Sequence, residues 1–257
     1  MDSSQPPGAT RQRLLLANAC RILGARGLAE DVLGHVSLRT GPDTMLVRCR
    51  GPREEGLFVT RVDDIRQVDF EGRLEDGPAG GVEPGWSAPN ELPIHAEVLR
   101  ARPDVDAVVH CHPPSVLLAG LEGVPLRPVF GAYHIPAARM ALDGVPVYPR
   151  SVLVRRPELG REVAAALGAA PVLVLRGHGL VSVGSGPHAV EQAVVRALTL
   201  DVLARVSLEC ARLGGRADEL APEDVAELPD LGGGFNDVMV FRHHLARLRH
   251  EGLLLVG

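Results

Sequence analysis

Apolar residues recur along the chain with two spacings, one typical of helices and one typical of strands. Repeats at three and four residues predict helices, whereas alternation and short β-branched runs predict strands. Helices are predicted over residues 11–26, 91–102, 113–119, 157–167, 187–213 and 237–249. Strands are predicted over residues 34–39, 45–50, 57–60, 66–70, 105–109, 145–154, 171–176 and 180–183. A glycine- and proline-rich loop is predicted over residues 72–89. This pattern predicts helices on the faces of one mixed sheet.

Chemically active residues gather where the second predicted helix leads into a β-branched strand. Glu91 opens the helix, and the strand ends in His110-Cys111-His112. Because residues i and i+2 of a strand share a face, both imidazoles point together and Cys111 points away. A carboxylate and two imidazoles supply three ligands of a tetrahedral metal site. His178, at the end of another apolar strand, is the fourth candidate, and we therefore predict a metalloenzyme.

Composition and charge narrow the class of protein. The chain has 257 residues, 46% of them hydrophobic and only 3% aromatic, and its formal net charge is -5. This length suits one large domain, and the charge gives no reason to expect nucleic acid or an anionic membrane as partner. Neither a membrane-spanning apolar run nor a signal-peptide pattern is present. The four cysteines are scattered, which favours reduced thiols in the cytoplasm over a disulfide framework.

The chain contains no lysine, because all of its basic residues are arginine. Schiff-base chemistry, as in lysine-dependent aldolases and pyridoxal-phosphate enzymes, needs a lysine amine, and a P-loop needs one too. Those functions are excluded. The arginine-only usage itself fits the codon bias of a GC-rich genome.

The predicted elements divide the chain into three parts. Residues 1–10 form a disordered lead-in, residues 11–215 form the single α/β domain, and residues 216–257 form a tail that holds a helix. We find no internal repeat or low-complexity block.

The order of Glu91, His110-x-His112 and the turn His178-Gly179-Leu180 resembles the class II aldolase/adducin family, which includes fuculose-1-phosphate aldolase and ribulose-5-phosphate epimerase. The resemblance extends from Arg11 to Leu213. The motif is specific, because the first histidine lies nineteen positions after the glutamate and the His-Gly-Leu turn follows some sixty residues later. The family implies a three-layer α/β/α domain with a mainly antiparallel central sheet, and a homotetramer with sites near subunit interfaces.

The resemblance implies one divalent cation per subunit, held by His110, His112 and His178. Zinc is usual in the family, and imidazole ligands also accept manganese, iron and cobalt. Glu91 is implied as a ligand of the empty site and as the general acid/base when substrate binds. Such a cation has open positions for two adjacent substrate oxygens.

Three turns that hold phosphate in the sugar-phosphate members of the family are altered here. Their counterparts are Gly34-His35, Thr60-Arg61 and Pro89-Asn90. Larger side chains fill the space that small donors leave for a phosphate, which argues against a phosphorylated sugar. His35 and Arg61 suit a carboxylate instead, and we count His35, Arg61 and Asn90 as substrate-binding candidates. His35 has the alternative of a structural turn residue.

Two further candidates lie outside the motif. Tyr133 is near the place of the tyrosine proton donor of the aldolases, so we count Tyr133 and His35 with Glu91 as catalytic candidates. His244, in the tail, could close the substrate site of a neighbouring subunit. A surface or core position is the alternative for each of them. His95, behind Glu91, is interpreted as a structural or supporting group.

The leading prediction is a metal-dependent carbon–carbon lyase on a small unphosphorylated hydroxy-acid. The runs GHVSLR, PNELPIH and HCHPPSV are similar to the branch of the family that decarboxylates catechol carboxylates such as 3,4-dihydroxyphthalate. An aldolase or epimerase on a small sugar or hydroxy-keto acid is the first alternative, and an iron redox enzyme is another. A non-catalytic adducin-like scaffold belongs to a different class, and it would not need an intact metal site.

Overall fold

A computed structural model describes residues 7–75, 84–215 and 217–256 as a seven-stranded sheet covered by helices. The strands are β1 His35–Arg39, β2 Thr44–Arg48, β3 Ile65–Asp69, β4 Ala107–Cys111, β5 Val147–Tyr148, β6 Val172–Leu175 and β7 Gly179–Gly184. The helices are α1 Pro7–Ala25, α2 Leu92–Ala101, α3 Pro114–Glu122, α4 Ile135–Met140, α5 Pro157–Leu167, α6 Ala189–Arg212, α7 Pro222–Glu227 and α8 Val240–His250. Short 3-10 helices cover Leu57–Val59, Val62–Asp64 and Gly186–His188, and a π-helix covers Gly234–Met239.

The sheet has the order β3-β2-β1-β4-β7-β6-β5. All of its neighbouring strands run antiparallel except the short edge strand β5, which is parallel to β6. The predicted mainly antiparallel sheet is therefore confirmed. The register places His35 of β1 opposite His110 of β4, so the two side chains lie on one face at the same end of the sheet.

Two apolar clusters lie on opposite faces of the sheet and make the fold three layers thick. One joins α1, α3, α6 and α8 to alternate strand residues such as Val36, Val109 and Leu180. The other joins α2 and α5 to the strand residues that point to the opposite face, such as Met45, Val108 and Val181. This arrangement confirms the predicted α/β/α layering, and it places the metal-site residues on the α2 side.

Two predicted strands are wrong in type or length. Residues 57–60 form a 3-10 turn, in which the Thr60 hydroxyl donates to the Leu57 carbonyl after Gly56 enters with φ 89°. The strand predicted over residues 145–154 is reduced to Val147–Tyr148, because Pro146 and Pro149 flank it and proline has no N–H for a ladder.

The helix boundaries also differ from those expected. Helix α1 begins at Pro7, so residues 7–10 are helical and not part of a disordered lead-in; residues 1–6 lie outside the described residues. The weakly patterned segment before Met140 contains α4, and the tail contains α7 as well as α8. Residues 76–83 of the predicted loop also lie outside the described part.

The tail helix α8 packs against its own chain. Phe241 and Leu248 are 2% exposed within the cluster shared with α1 and α6. The last described residues continue this contact, because the Asn18 side chain accepts from the Leu255 N–H and donates to the Leu255 carbonyl. The tail is thus an integral layer of the domain in the single chain.

Two structural findings concern the membrane and the cysteines, which also figure in the sequence-based predictions. Among the described helices, none combines the length and the apolar character needed to cross a membrane. The four cysteines are free thiols.

Phe241→Ala tests the packing of α8. Removal of this buried ring should lower the free energy of unfolding by about 3–5 kcal/mol, because the cavity cannot fully collapse. Urea denaturation measures the change. His243→Ala, on the exposed side of the same helix, is the control and should change stability by less than about 0.5 kcal/mol. Equal stability of both variants would contradict the docked position of α8.

Candidate metal centre

Four side chains from three parts of the fold converge at one end of the sheet. Glu91 is the residue before α2, His110 lies in β4, His112 follows β4, and His178 precedes β7. One ligand atom from each lies within 4.8 Å of the others. The structure therefore brings together all four residues predicted as ligands.

The turn around His178 depends on small residues. A Cβ atom on Gly179 would lie 2.3 Å from the Cys111 carbonyl oxygen and 2.8 Å from the His112 ring. Gly177 has φ +64°, a conformation that L side chains rarely adopt. Glycine on both sides lets β7 approach β4 closely, which brings His178 beside the other two imidazoles.

The imidazole Nε2 atoms face one another and the Glu91 carboxylate. His110 Nε2 lies 3.3 Å from Glu91 Oε2, and His178 Nε2 lies 3.4 Å from Glu91 Oε1. His112 Nε2 is 2.9 Å from His110 Nε2. His110 Nδ1 is 2.8 Å from the Leu180 carbonyl and must donate to it, so the neutral ring keeps a lone pair on Nε2.

Backbone and electrostatic contacts hold the carboxylate in place. Glu91 Oε1 accepts the Val154 N–H at 3.0 Å. Burial raises the pKa of the Glu91 carboxyl, but the adjacent His110 and His178 imidazoles outweigh this effect and hold the pKa well below its ordinary range. Glu91 is therefore ionised at neutral pH.

The His112 ring stays neutral for a different reason. Burial, together with the neighbouring His110 and His178, lowers the pKa of His112 to about 3. Metal binding needs neutral imidazole and ionised carboxylate, and Glu91 and His112 are already in these forms. The residues fit a divalent cation such as zinc, which nitrogen and oxygen ligands of this kind hold.

A line of polar side chains adjoins this cluster. His35 Nδ1 lies 2.9 Å from His95 Nε2, and His95 Nδ1 lies 2.7 Å from Ser37 Oγ. The His35 and His110 rings are 5.2 Å apart between centroids. His35 therefore borders the metal centre, as predicted for a substrate contact. Ser37 was not predicted, although its spacing of two residues from His35 in a strand already placed both on one face.

The other candidate residues are not gathered at the centre. The Arg61 guanidinium pairs with Glu55, while the Arg61 N–H donates to Asp64 Oδ2 at 2.7 Å. Asn90 is exposed beside Glu91. Tyr133 is 74% exposed and its ring packs on Phe130.

His244 is buried in the single chain. Its side chain lies between α1 and α8, near Ile22, Arg26 and Arg247, and only 8% of the residue is exposed. Burial and the nearby Arg26 lower its pKa to about 4. A contact with a neighbouring subunit's substrate would require α8 to move.

Comparison with known proteins agrees with this geometry. Residues 14–208 match the family described as Class II Aldolase and Adducin N-terminal domain. The 3,4-dihydroxyphthalate decarboxylase of Arthrobacter keyseri is 52% identical over 236 residues, which cover 92% of this chain and 93% of that protein. The protein of the same name from Terrabacter is 51% identical and covers 94% of this chain and 98% of its own length.

A solved structure shows the same fold. The L-fuculose 1-phosphate aldolase of Glaciozyma antarctica has a TM-score of 0.72 over 96% of each chain, at 21% sequence identity. The chain belongs to the class II aldolase and adducin family, which confirms the predicted resemblance. Its cluster of one glutamate and three histidines is a site for a divalent cation.

His178→Ala tests the metal centre. Loss of one imidazole should reduce bound metal from about one ion per chain to a small fraction, because a ligand position is removed. Elemental analysis of protein purified without chelator measures the content. The control is His188→Ala, which removes an exposed imidazole beside Glu191. Unchanged metal content in His178→Ala would exclude this residue as a ligand.

Proposed function

We propose that this chain is a metal-dependent decarboxylase of dihydroxy-aromatic carboxylates, with 3,4-dihydroxyphthalate as its substrate. The observation that carries the proposal is the assembled glutamate and tri-histidine donor set in a chain 52% identical, over nearly its full length, to a decarboxylase of that compound. The intact donor set favours a lyase over a scaffold protein, which has no need of these four residues.

The cation that we propose is zinc, one per subunit, held by His110, His112 and His178. When bound, a divalent cation supplies Lewis acidity to two adjacent oxygens, such as the vicinal hydroxyls of a catechol. Glu91 lies against two of the imidazoles and is ionised, so it is placed to exchange a proton with a substrate beside them.

The proposed reaction uses Glu91 to move one proton. The carboxylate takes a proton from a substrate hydroxyl and delivers it to the ring carbon that bears the leaving carboxylate. The bond from that carbon to the carboxylate breaks and CO2 leaves. The electron pair of the broken bond stays in the ring and restores the negative charge on the hydroxyl oxygen that gave up its proton. The oxygen regains a proton from water, so the net change replaces CO2 by hydrogen.

The remaining candidates are proposed as substrate contacts. His35 borders the metal centre and Asn90 precedes Glu91 in the chain, and both suit the carboxylate that remains on the ring. Arg61 must give up its pairing with Glu55 to contribute. Tyr133, exposed in the single chain, is proposed to act at a neighbouring subunit's site in a homotetramer, and His244 could follow only after a movement of α8. The reduced thiols support a cytoplasmic location.

Mass spectrometry of 3,4-dihydroxyphthalate incubated with metal-loaded protein tests the proposal. We expect loss of one CO2 per substrate with the wild type and at least a 100-fold slower loss with His112→Ala, because a ligand is missing. L-fuculose 1-phosphate serves as the comparison substrate. Cleavage of that sugar phosphate without release of CO2 from 3,4-dihydroxyphthalate would overturn the decarboxylase proposal in favour of an aldolase.

Glu91→Gln separates proton transfer from metal binding. The amide oxygen can still accept the Val154 N–H, but the side chain can no longer carry the proton. We expect kcat to fall by about 10²–10⁴-fold, while the protein keeps most of its metal. Steady-state kinetics and elemental analysis on the same preparation measure both. Near-normal kcat would remove Glu91 from the proton-transfer step.

A further inference from the structure

A line of three buried polar side chains leads from the middle of β1 to the metal centre. Ser37 and His95 are completely buried, whereas His35 keeps 7% of its surface exposed. Ser37 and His35 lie two residues apart on β1, and His95 bridges them from α2. The line therefore has a closed end at Ser37 and an accessible end at His35.

The protonation of the two imidazoles is constrained by their surroundings. His95 is completely buried, and burial lowers its pKa to about 3. The His95 ring is then neutral, with one nitrogen that donates and one that accepts, and the 2.9 Å contact requires His35 Nδ1 to take the role complementary to that of His95 Nε2. The two consecutive hydrogen bonds must therefore both donate towards His35 or both donate towards Ser37.

In one direction the Ser37 hydroxyl donates to His95 Nδ1, and His95 Nε2 donates to His35 Nδ1. Every hydrogen inside the line then has an acceptor, and the hydrogen of His35 is left on Nε2. In the opposite direction His35 Nδ1 donates to His95, and His95 donates to Ser37. The Ser37 hydroxyl hydrogen would then need another acceptor.

The contacts of Ser37 decide between the two directions. In the part of the chain that the structure describes, the hydrogen-bond partner of Ser37 Oγ is His95 Nδ1. A buried hydroxyl hydrogen without an acceptor is costly, so the direction that starts from Ser37 is favoured.

We propose that Ser37 and His95 are positioning residues that hold His35 in the tautomer with hydrogen on Nε2, so that His35 donates a hydrogen bond to a carboxylate or hydroxyl oxygen of the substrate. The direction of hydrogen-bond donation from Ser37 through His95 to His35 does not depend on the proposed function, whereas the contact with substrate rests on it. His35 then binds an anionic oxygen and does not accept a proton, which leaves proton transfer to Glu91.

Histidine ¹⁵N NMR of the zinc-loaded protein reads the tautomers directly. The signals of His35 are assigned by their disappearance in His35→Gln. We expect His35 and His95 each to carry hydrogen on Nε2, with Nδ1 as an acceptor. Hydrogen on Nδ1 of His35 would overturn the proposal without reference to any activity.

Ser37→Ala tests the positioning role. Loss of the hydroxyl removes the donor that sets the direction, so His35 should become a mixture of tautomers. For 3,4-dihydroxyphthalate we expect kcat/KM to fall by about tenfold through a higher KM, as for one weakened hydrogen bond to a charged group. Metal content should not change. Ser37→Thr keeps the hydroxyl, so its His35 tautomer and its kcat/KM should match those of the wild type.

Ser182→Ala is the matched control. Ser182 is equally buried in the same sheet, but its hydroxyl donates to the Ala193 carbonyl at 2.7 Å and has no place in the line. This variant should leave the His35 tautomer and KM unchanged. Identical behaviour of Ser37→Ala and Ser182→Ala would overturn the positioning role. The expected tautomer in a metal-loaded wild type that releases no CO2 would overturn the proposed function alone.

Discussion

The close pairing of β4 with β7 is the constraint on which the metal centre depends. His110 lies in β4 and His112 directly follows that strand, so the spacing of two residues gives the two imidazoles a common orientation. The third imidazole reaches them only because the β7 backbone passes the end of β4 at a distance that excludes any side chain at Gly179. The absence of a side chain at Gly179 therefore allows the strand pairing that brings the third histidine nitrogen to the site.

Much of the site could be predicted from the sequence because its geometry is local. Glu91 stands where the apolar helical pattern of α2 begins, and His110 and His112 are two residues apart at the end of a β-branched run. His178 is distant in sequence; its place at the end of another apolar strand made it a candidate, and the family motif linked it to the others. The core helices were predictable for the same reason, since their apolar periodicity is long and regular.

The parts that could not be predicted depend on contacts between distant segments. Residues 57–60 have strand-like composition, but the hydrogen bond from Thr60 to Leu57 closes a turn instead. The docking of α8 on α1 decides the place of His244, and nothing within the tail encodes that contact. Likewise, the partner of Ser37 lies 58 residues away in α2.

The hydrogen bond from the Val154 backbone N–H to the Glu91 carboxylate affects which mutations such an enzyme can tolerate during evolution. A peptide N–H is present whatever side chain occupies the position, so point substitutions other than proline leave this donor in place. The orientation of the carboxylate is thus buffered against mutation. The side chains at positions 35 and 90 have no such safeguard, because a substitution there removes the functional group itself.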